Sequence, residues 1–333
     1  MDYKKNGVVL EIKTGSHLYG TNVETSDEDF VGVYIPSYFE LLTSDKYIKE
    51  KDFSIKSKDK NGKNDKNAVD RKYYNFNNFI KLLISNNPNI LEILYANDEN
   101  ITYVNPIGQK LIDNRHLFPS IKLVKRFIGY SNQQSHKMEI KSNKFNEMNI
   151  ILEYLKSINP KLLIAELQYD NEFKKLLEEC KTNEIKQDGK IKKVIRLHDD
   201  FLTIGDLNIP INVYVKNACS RLQNRISKGT SRNRLITKYG YDVKFGMHLI
   251  RLLIEGLQFL KFGELQFPLP EKDLLLSIRN GELKIDEIFD LRDKLLQDIT
   301  YYEKITNLQI TPNLEVIGYI MNECLNDYIN GDY

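Results

Sequence analysis

The 333-residue chain has no tryptophan, and its three cysteines, Cys180, Cys219 and Cys324, lie far apart with no CxxC pair among them. That spacing argues against a disulfide framework and a thiolate zinc site, and suits buried thiols in a reducing compartment. A cytoplasmic protein is therefore expected. Also missing are an apolar run near the length of a bilayer span and a basic-plus-apolar segment at the N-terminus, so no secreted or membrane-spanning protein is expected. Histidine is sparse, and His116, His136 and His198 show no spacing that suggests a metal site or a catalytic triad. Acid is absent between Asp206 and Asp242. The net charge of +2 excludes little; its distribution along the chain says more.

What is present is enough apolar content, 41% of residues, to bury a substantial core and to fill two domains. Gly7 to Lys13 is rich in β-branched residues and stops at Thr14-Gly15, as a strand entering a turn does. A second strand is expected over about 30–35, ending at Pro36, and a third around 52–55. Residues 59–66 are almost wholly polar and read as a mobile hairpin tip or disordered loop, with order returning in a strand over 68–74. An amphipathic helix over 75–85 follows, with Phe76, Phe79, Ile80, Leu83 and Ile84 as its buried stripe and Asn86-Asn87-Pro88 as its stop. Beyond about residue 105 the pattern is helical, over 117–140, 143–158, 160–181, 211–227, 241–262, 271–278, 285–305 and 314–329, broken by an extended interlude near 191–204. Strands followed by helices predict an α+β chain: a mixed-sheet domain at 1–105 and an all-helical domain at 106–333.

The most informative stretch is Gly15-Ser16-His17-Leu18-Tyr19-Gly20, followed by Ser26-Asp27-Glu28-Asp29 and the apolar run Val31 to Ile35. Gly15 permits close backbone approach to an anion, Ser16 offers a hydroxyl and an N–H, and a helix starting there would add its positive end. Asp27 and Asp29, two apart on a strand, would share a face and so hold one cation together or bridge two, with Glu28 turned away. Mg²⁺ is commonly held by one or two carboxylates plus substrate phosphates, so the pairing describes metal-assisted phosphoryl or nucleotidyl transfer. The bland reading of Ser26 to Asp29 is a solvated turn entering a strand.

This arrangement resembles the DNA polymerase β-type nucleotidyltransferase superfamily, and within it the predicted nucleotidyltransferases associated with RNA repair. Their pattern of Gly-Ser-x-x-Tyr-Gly and Ser-Asp-x-Asp is met by Gly15, Ser16, Tyr19, Gly20, Ser26, Asp27 and Asp29. The same branch has a third Asp on a strand leading into a helix, then an Asn-Pro turn with a Glu after it, as in Asp70, Asn87-Pro88 and Glu92. A distal Tyr-Gly-Tyr-Asp-x-Lys-Phe-x-x-His-x-x-Arg-Leu block is matched from Tyr239 to Leu252. The resemblance implies a polymerase-β-like domain that moves a nucleoside monophosphate from an NTP to a hydroxyl, with Mg²⁺ (or Mn²⁺) on Asp27, Asp29 and Asp70 and an RNA end as acceptor. The long Lys-rich insertion between Asp29 and Asp70 departs from the pattern and makes Asp70 the least secure of the three ligands. For Asp70 the rival reading is a surface acid beside a strand.

In the second half, Lys216, Arg221, Arg225, Lys228, Arg232, Arg234 and Lys238 fill the acid-free stretch and form an anion site or a solvated basic face. The expected helix over 241–262 is apolar nearly all round yet carries Lys244, His248 and Arg251 at i, i+4 and i+7. That stripe is expected to face a polar cleft across from the catalytic strand, with Lys244 and Arg251 on phosphates and His248 on a sugar or base. The alternative is an internal ion-pair network with Glu255 or Asp242. A nucleotide- or RNA-binding module without turnover, and a toxin- or phage-type effector acting on tRNA, stand as rival functions.

Overall fold

The computed structural model describes the chain except for residues 1–6, 24–25, 38–39, 41–47, 56–68, 181–184, 188–189, 193–194, 199, 205–206, 228–234, 237 and 332–333; at 139–145, 185–187 and 190–192 it describes backbone only. The polar tip expected at 59–66 lies outside the described residues. Two compact units are formed, one by Met1–Asn132, Met247–Ile278 and Phe289–Tyr333, the other by Gln133–Gly246 and Arg279–Ile288.

The first unit is built on a five-stranded mixed sheet. Its strands are β1 (Val8–Thr14), β2 (Asp29–Tyr34), β3 (Glu50–Asp52), β4 (Asp70–Asn75) and β5 (Ile101–Val104), in the order β3-β4-β2-β1-β5. β1 is antiparallel to both β2 and β5, whereas β2 and β4 run parallel. Val8, Val9, Leu10 and Ile12 of β1 are all buried, which accounts for its near-continuous run of apolar, β-branched residues. β5 was not expected: it follows the polar Asn97-Asp98-Glu99-Asn100, and its pairing with β1 begins where Lys13 N–H reaches the Asn100 carbonyl.

Helices pack against this sheet. A one-turn helix α1 (Ser16–Tyr19) follows β1 directly, and α2 (Phe76–Ile84) follows β4, its first turn capped by the Asn75 side chain accepting from Asn77 N–H. The stripe on α2 is largely as the periodicity predicts: Phe76, Phe79, Ile80 and Leu83 are fully buried, Ile84 half-buried. Each buried Phe contributes about 1.5–3 kcal/mol of transfer free energy. The chain then turns through Asn86, whose φ of 53° puts a non-glycine residue in the left-handed region. The Asn86 side chain locks that turn, donating to the Leu83 and Phe118 carbonyls and accepting from Ser120 N–H and Oγ–H. A short helix α3 (Pro88–Leu91) begins at the proline and runs into a 3-10 turn at Glu92–Tyr95.

Further along, α4 (Pro106–Asp113) lies against β1 so closely that a Cβ on Gly108 would stand 2.1 Å from the Val9 carbonyl oxygen. In place of the two helices expected at 117–140 and 143–158 there is one 36-residue helix, α5 (Lys122–Ser157), because Ser142 and Asn143 cost helix propensity without breaking the i→i−4 ladder as proline would.

The second unit has its own core, in which Ile151, Leu155, Ile164, Phe173, Leu202, Ile204, Val215 and Leu222 are all buried. Instead of one helix over 160–181 there is a 3-10 segment at Ile164–Tyr169 and a helix α6 (Asn171–Glu179) capped by Asp170, which accepts from Phe173 N–H. The extended interlude runs from 185 to 210. It comprises a ribbon of β6 (Ile185–Gln187) and β7 (Lys190–Lys192), and a three-stranded antiparallel sheet of β8 (Ile195–Leu197), β9 (Phe201–Ile204) and β10 (Leu207–Pro210). A helix α7 (Val215–Ser227) follows, and α8 (Val243–Phe262) starts at the buried Asp242, whose carboxylate accepts from Lys244 N–H. Helices α9 (Lys272–Arg279), α10 (Ile285–Tyr302) and α11 (Leu314–Asn330) complete the chain. The architecture is a mixed-sheet N-terminal region followed by a largely helical C-terminal part, as the sequence predicts. Among the described residues no helix is long and apolar enough to cross a membrane.

Candidate active site

β1 ends at Thr14 where β2 and β4 begin, and the ladder pairs Thr14 with Asp29 and Asp29 with Asp70. Residues paired in register leave the same face of a sheet, so the Asp29 and Asp70 carboxylates are neighbours although 41 positions separate them in sequence. Asp70 is exposed and Asp29 half-buried. The turn after β1 completes the corner. Gly15 has φ 67° and ψ −140°, a region essentially reserved for glycine, and a Cβ there would meet Asp29 Oδ2 at 3.1 Å. The backbone of the turn and the carboxylate thus touch. Ser16 opens α1, whose first amides have no acceptor within so short a helix.

Asp27 is placed differently from the sequence expectation. β2 starts only at Asp29, so residues 26–28 are not strand and the period of two does not govern them. Asp27 is exposed in this segment. Glu28 does turn elsewhere, accepting from Lys13 Nζ at 2.7 Å, and that contact holds its carboxyl below its ordinary range. The segment is pinned at its other end by Ser26, which accepts from Val23 N–H while its own N–H reaches the Val23 carbonyl.

Among the described residues no group of three or more His, Cys, Asp and Glu side chains is arranged to hold a metal ion. The donor set at the corner is instead two hard-oxygen carboxylates in register with a third two residues upstream. That fits a divalent ion such as Mg²⁺, which takes one or two protein carboxylates and completes its shell with phosphate oxygens and water. It does not fit a closed structural metal site.

Four residues on α1, the 3-10 turn and α8 converge behind this corner. Arg251 Nη1 donates to Glu92 Oε2 at 2.9 Å and to Glu255 Oε1 at 2.7 Å. Tyr19 donates its hydroxyl to both Glu92 oxygens at 3.1 Å, and the Arg251 guanidinium lies 4.1 Å from the centroid of the Tyr19 ring. All four are buried. Burial raises both carboxyls against the pull of Arg251, Glu255 to about 8, and pushes the Tyr19 hydroxyl well above its usual range, so it stays a donor. Arg251 Nε and Glu255 Oε2 find no hydrogen-bond partner in the structure.

A further buried carboxylate sits in the sheet itself. Glu11 of β1 is fully buried and takes hydrogen bonds from the Tyr73 hydroxyl and, at 2.7 Å, from Thr102 Oγ1. Arg71 Nε lies 2.8 Å from Glu11 Oε2, close enough for an ion pair but not aligned as a hydrogen bond. The Arg71 guanidinium also covers the Phe30 ring at 4.5 Å. Asp70 is therefore followed by a residue tied to the sheet through Glu11.

The remaining sequence-predicted residues divide. Arg251 does not face a cleft; its guanidinium is 4% exposed and is taken up by two carboxylates, which is the internal ion-pair alternative with Glu92 added to Glu255. Lys244 is exposed and His248 half-buried on the same helix α8. Arg232 lies outside the described residues. Sequence reasoning did not foresee that Tyr19, Glu92 and Arg251 meet, since 73 and 159 positions separate the pairs; the available signal was a charged residue recurring in otherwise apolar stretches. Glu11 carried the same signal and went unnoticed.

The sequence profile of the RNA repair pathway DNA polymerase beta family matches residues 2–197, which takes in the whole corner of Gly15, Asp27, Asp29 and Asp70. An uncharacterized 38.9 kDa protein of Enterobacteria phage T4, from the nrdC-mobD intergenic region, is 24% identical over 288 residues, covering 82% of this chain and 83% of its own. No solved structure matches. With more than half of the chain under the family profile, and the paired carboxylates beside the glycine turn, the protein belongs to the RNA repair pathway DNA polymerase beta family, a membership that implies a polymerase-β-like nucleotidyltransferase role in RNA repair.

Proposed function

We propose that the protein transfers a nucleoside monophosphate from an NTP to a hydroxyl of RNA, with release of pyrophosphate. The observation that carries this reading is the in-register pairing of Asp29 and Asp70 beside the Gly15 turn. In the step, the acceptor oxygen bonds to the α-phosphorus, the bond from that phosphorus to the oxygen bridging toward the β-phosphorus breaks, and the hydroxyl proton passes to solvent. Asp27, Asp29 and Asp70 would hold Mg²⁺ or Mn²⁺, which lowers the pKa of the attacking hydroxyl and offsets charge on the leaving pyrophosphate. The chain's own part is positional. Gly15 admits the phosphates against bare backbone, Ser16 supplies an N–H and a hydroxyl, and Asp29 and Asp70 fix where positive charge gathers.

RNA as acceptor draws support from α7. The exposed Lys216 and Arg221 and the half-buried Arg225 share this helix with no acidic residue, in a stretch acid-free from 207 to 241. Such a surface tracks a phosphate backbone irrespective of base sequence. Lys244 and His248 are assigned to substrate contact on the same grounds of charge and partial exposure; the assignment of Arg232 rests on the sequence alone. A cytoplasmic location is part of the same proposal, and the three free thiols support it.

One observation favours a rival, a nucleotide- or RNA-binding module without turnover: the three acids are not gathered into one cluster. Incubation with Mg²⁺, each labelled NTP in turn and total RNA, with Asp29→Asn alongside, separates the two. Label in RNA from the wild type alone establishes the transferase and names its nucleotide. RNA binding indifferent to metal and to Asp29→Asn, with no label transferred, establishes the module.

A further inference from the structure

Tyr19 stands at the end of the turn proposed to receive the phosphates, and its polar partners, Glu92 and Arg251, are buried and charged. Its hydroxyl donates to Glu92, its ring lies 4.1 Å from the Arg251 guanidinium, and its other neighbour is the Phe267 ring, 6.1 Å away between centroids. Gly20, next in the chain, has φ 73° and touches Pro268 so closely that a Cβ would stand 2.7 Å from the proline Cβ. The turn is thus gripped at its C-terminal end by Phe267, Pro268, Lys272, Arg251 and Glu92, while its N-terminal end is fixed by the β1–β2 ladder. A one-turn helix does not hold its own shape, because so few of its amides have partners within it.

From this geometry we infer that Arg251, acting through Glu92 and Tyr19, is a positioning residue that sets the shape of the Gly15–Gly20 turn for receiving the NTP phosphates; the inference rests on the transferase reading above. Arg251 touches no substrate in this role. Its guanidinium neutralises Glu92, which frees that carboxylate to accept from the Tyr19 hydroxyl without carrying an uncompensated buried charge. Lysine would not replace it, since a single ammonium does not present the flat face that lies over the Tyr19 ring while bridging two carboxylates. Glu255 serves as the second anchor, one helical turn along α8, and fixes the rotamer of Arg251.

The test compares the full-length wild type with Tyr19→Phe, Arg251→Lys and Glu92→Gln, reading NTP turnover and amide hydrogen exchange together. Tyr19→Phe keeps the ring and removes only the hydroxyl, so its melting temperature monitors folding while the turn is released. Expected are a rise of about tenfold in KM for the NTP with kcat within about threefold, and exchange at residues 15–20 faster by about tenfold with the second unit unchanged. Unchanged KM and unchanged exchange at 15–20 in the folded variants would overturn the inference and leave the four residues a packing feature. If the wild type turns over no NTP, the transferase reading falls by itself, and exchange at 15–20 still decides: faster in all three variants supports the positioning role, equal to wild type rejects it.

Discussion

The first unit carries two sets of carboxylates that differ in their surroundings. Glu92 and Glu255 are buried and share Arg251. Asp29 and Asp70 stand side by side at the open end of a parallel ladder, and among the described residues no basic side chain is paired with Asp70. Acids of the first kind stabilise the fold only while their partner is present, because a buried charge without its counter-ion is costly. Acids of the second kind are neighbours of like charge at a solvent-accessible strand end. The contrast separates two environments for acids in one chain: burial on an arginine marks the first set, and a place at the open end of a ladder marks the second.

The largest effect should come from removing the internal cation. Arg251→Ala is expected to lower stability by about 3–5 kcal/mol, read by denaturant unfolding, since two buried carboxylates lose their partner. A loss below about 1 kcal/mol would break the comparison. Next, Asp29→Asn should keep the unfolding free energy within about 1 kcal/mol of wild type, because the side chain is only half-buried and the swap keeps its shape, while transfer to RNA falls about a thousandfold. Unfolding of Asp29→Asn as severe as that of Arg251→Ala would show that both sets are structural.

The pH dependence sharpens the same point. Burial raises the Glu255 carboxyl to about 8 in the folded protein, above its unfolded value of 4.5. Between these values the folded state holds more protons than the unfolded one, so stability falls as pH rises. The contribution is full below about pH 4.5 and lost as pH passes 8, and the raised Glu92 carboxyl acts in the same direction. The melting temperature is expected to drop by several degrees from pH 5.5 to 8.5, and Glu255→Gln should flatten that slope. A smaller effect is expected of Gly20→Ala, about 1–3 kcal/mol, from a positive φ and the contact with Pro268. The smallest belongs to the surface pair of Lys110 and Asp327, 2.7 Å apart, where Asp327→Asn should cost under about 1 kcal/mol and less in high salt.

How much of this was legible in the sequence depended on the range of the interaction. β1, β2, β4 and α2 showed in local periodicity, and the Gly15 to Asp29 motif showed because its parts are local and of the right chemistry. β5 did not show, because four residues after a polar turn are too few to carry a pattern against β1, 90 positions away. The single helix α5 was misread as two, since a polar run resembles a loop in composition although nothing in it breaks a helix. The site divides likewise. Asp70 could be named from the family pattern, but its register with Asp29 is a tertiary fact. Arg251 could be recognised as anomalous in an apolar helix, whereas the choice between a cleft and an internal network depended on Glu92, which only folding brings near.

The ladder pair of Thr14 with Asp29 closes the intervening loop like a ring on a clasp, with the Lys13 to Glu28 contact beside it. A ring closed at its base tolerates growth: adding ten residues to the loop costs only about 0.5 kcal/mol in closure entropy. The register that sets Asp29 beside Asp70 is thus insulated from the length of the loop ahead of it.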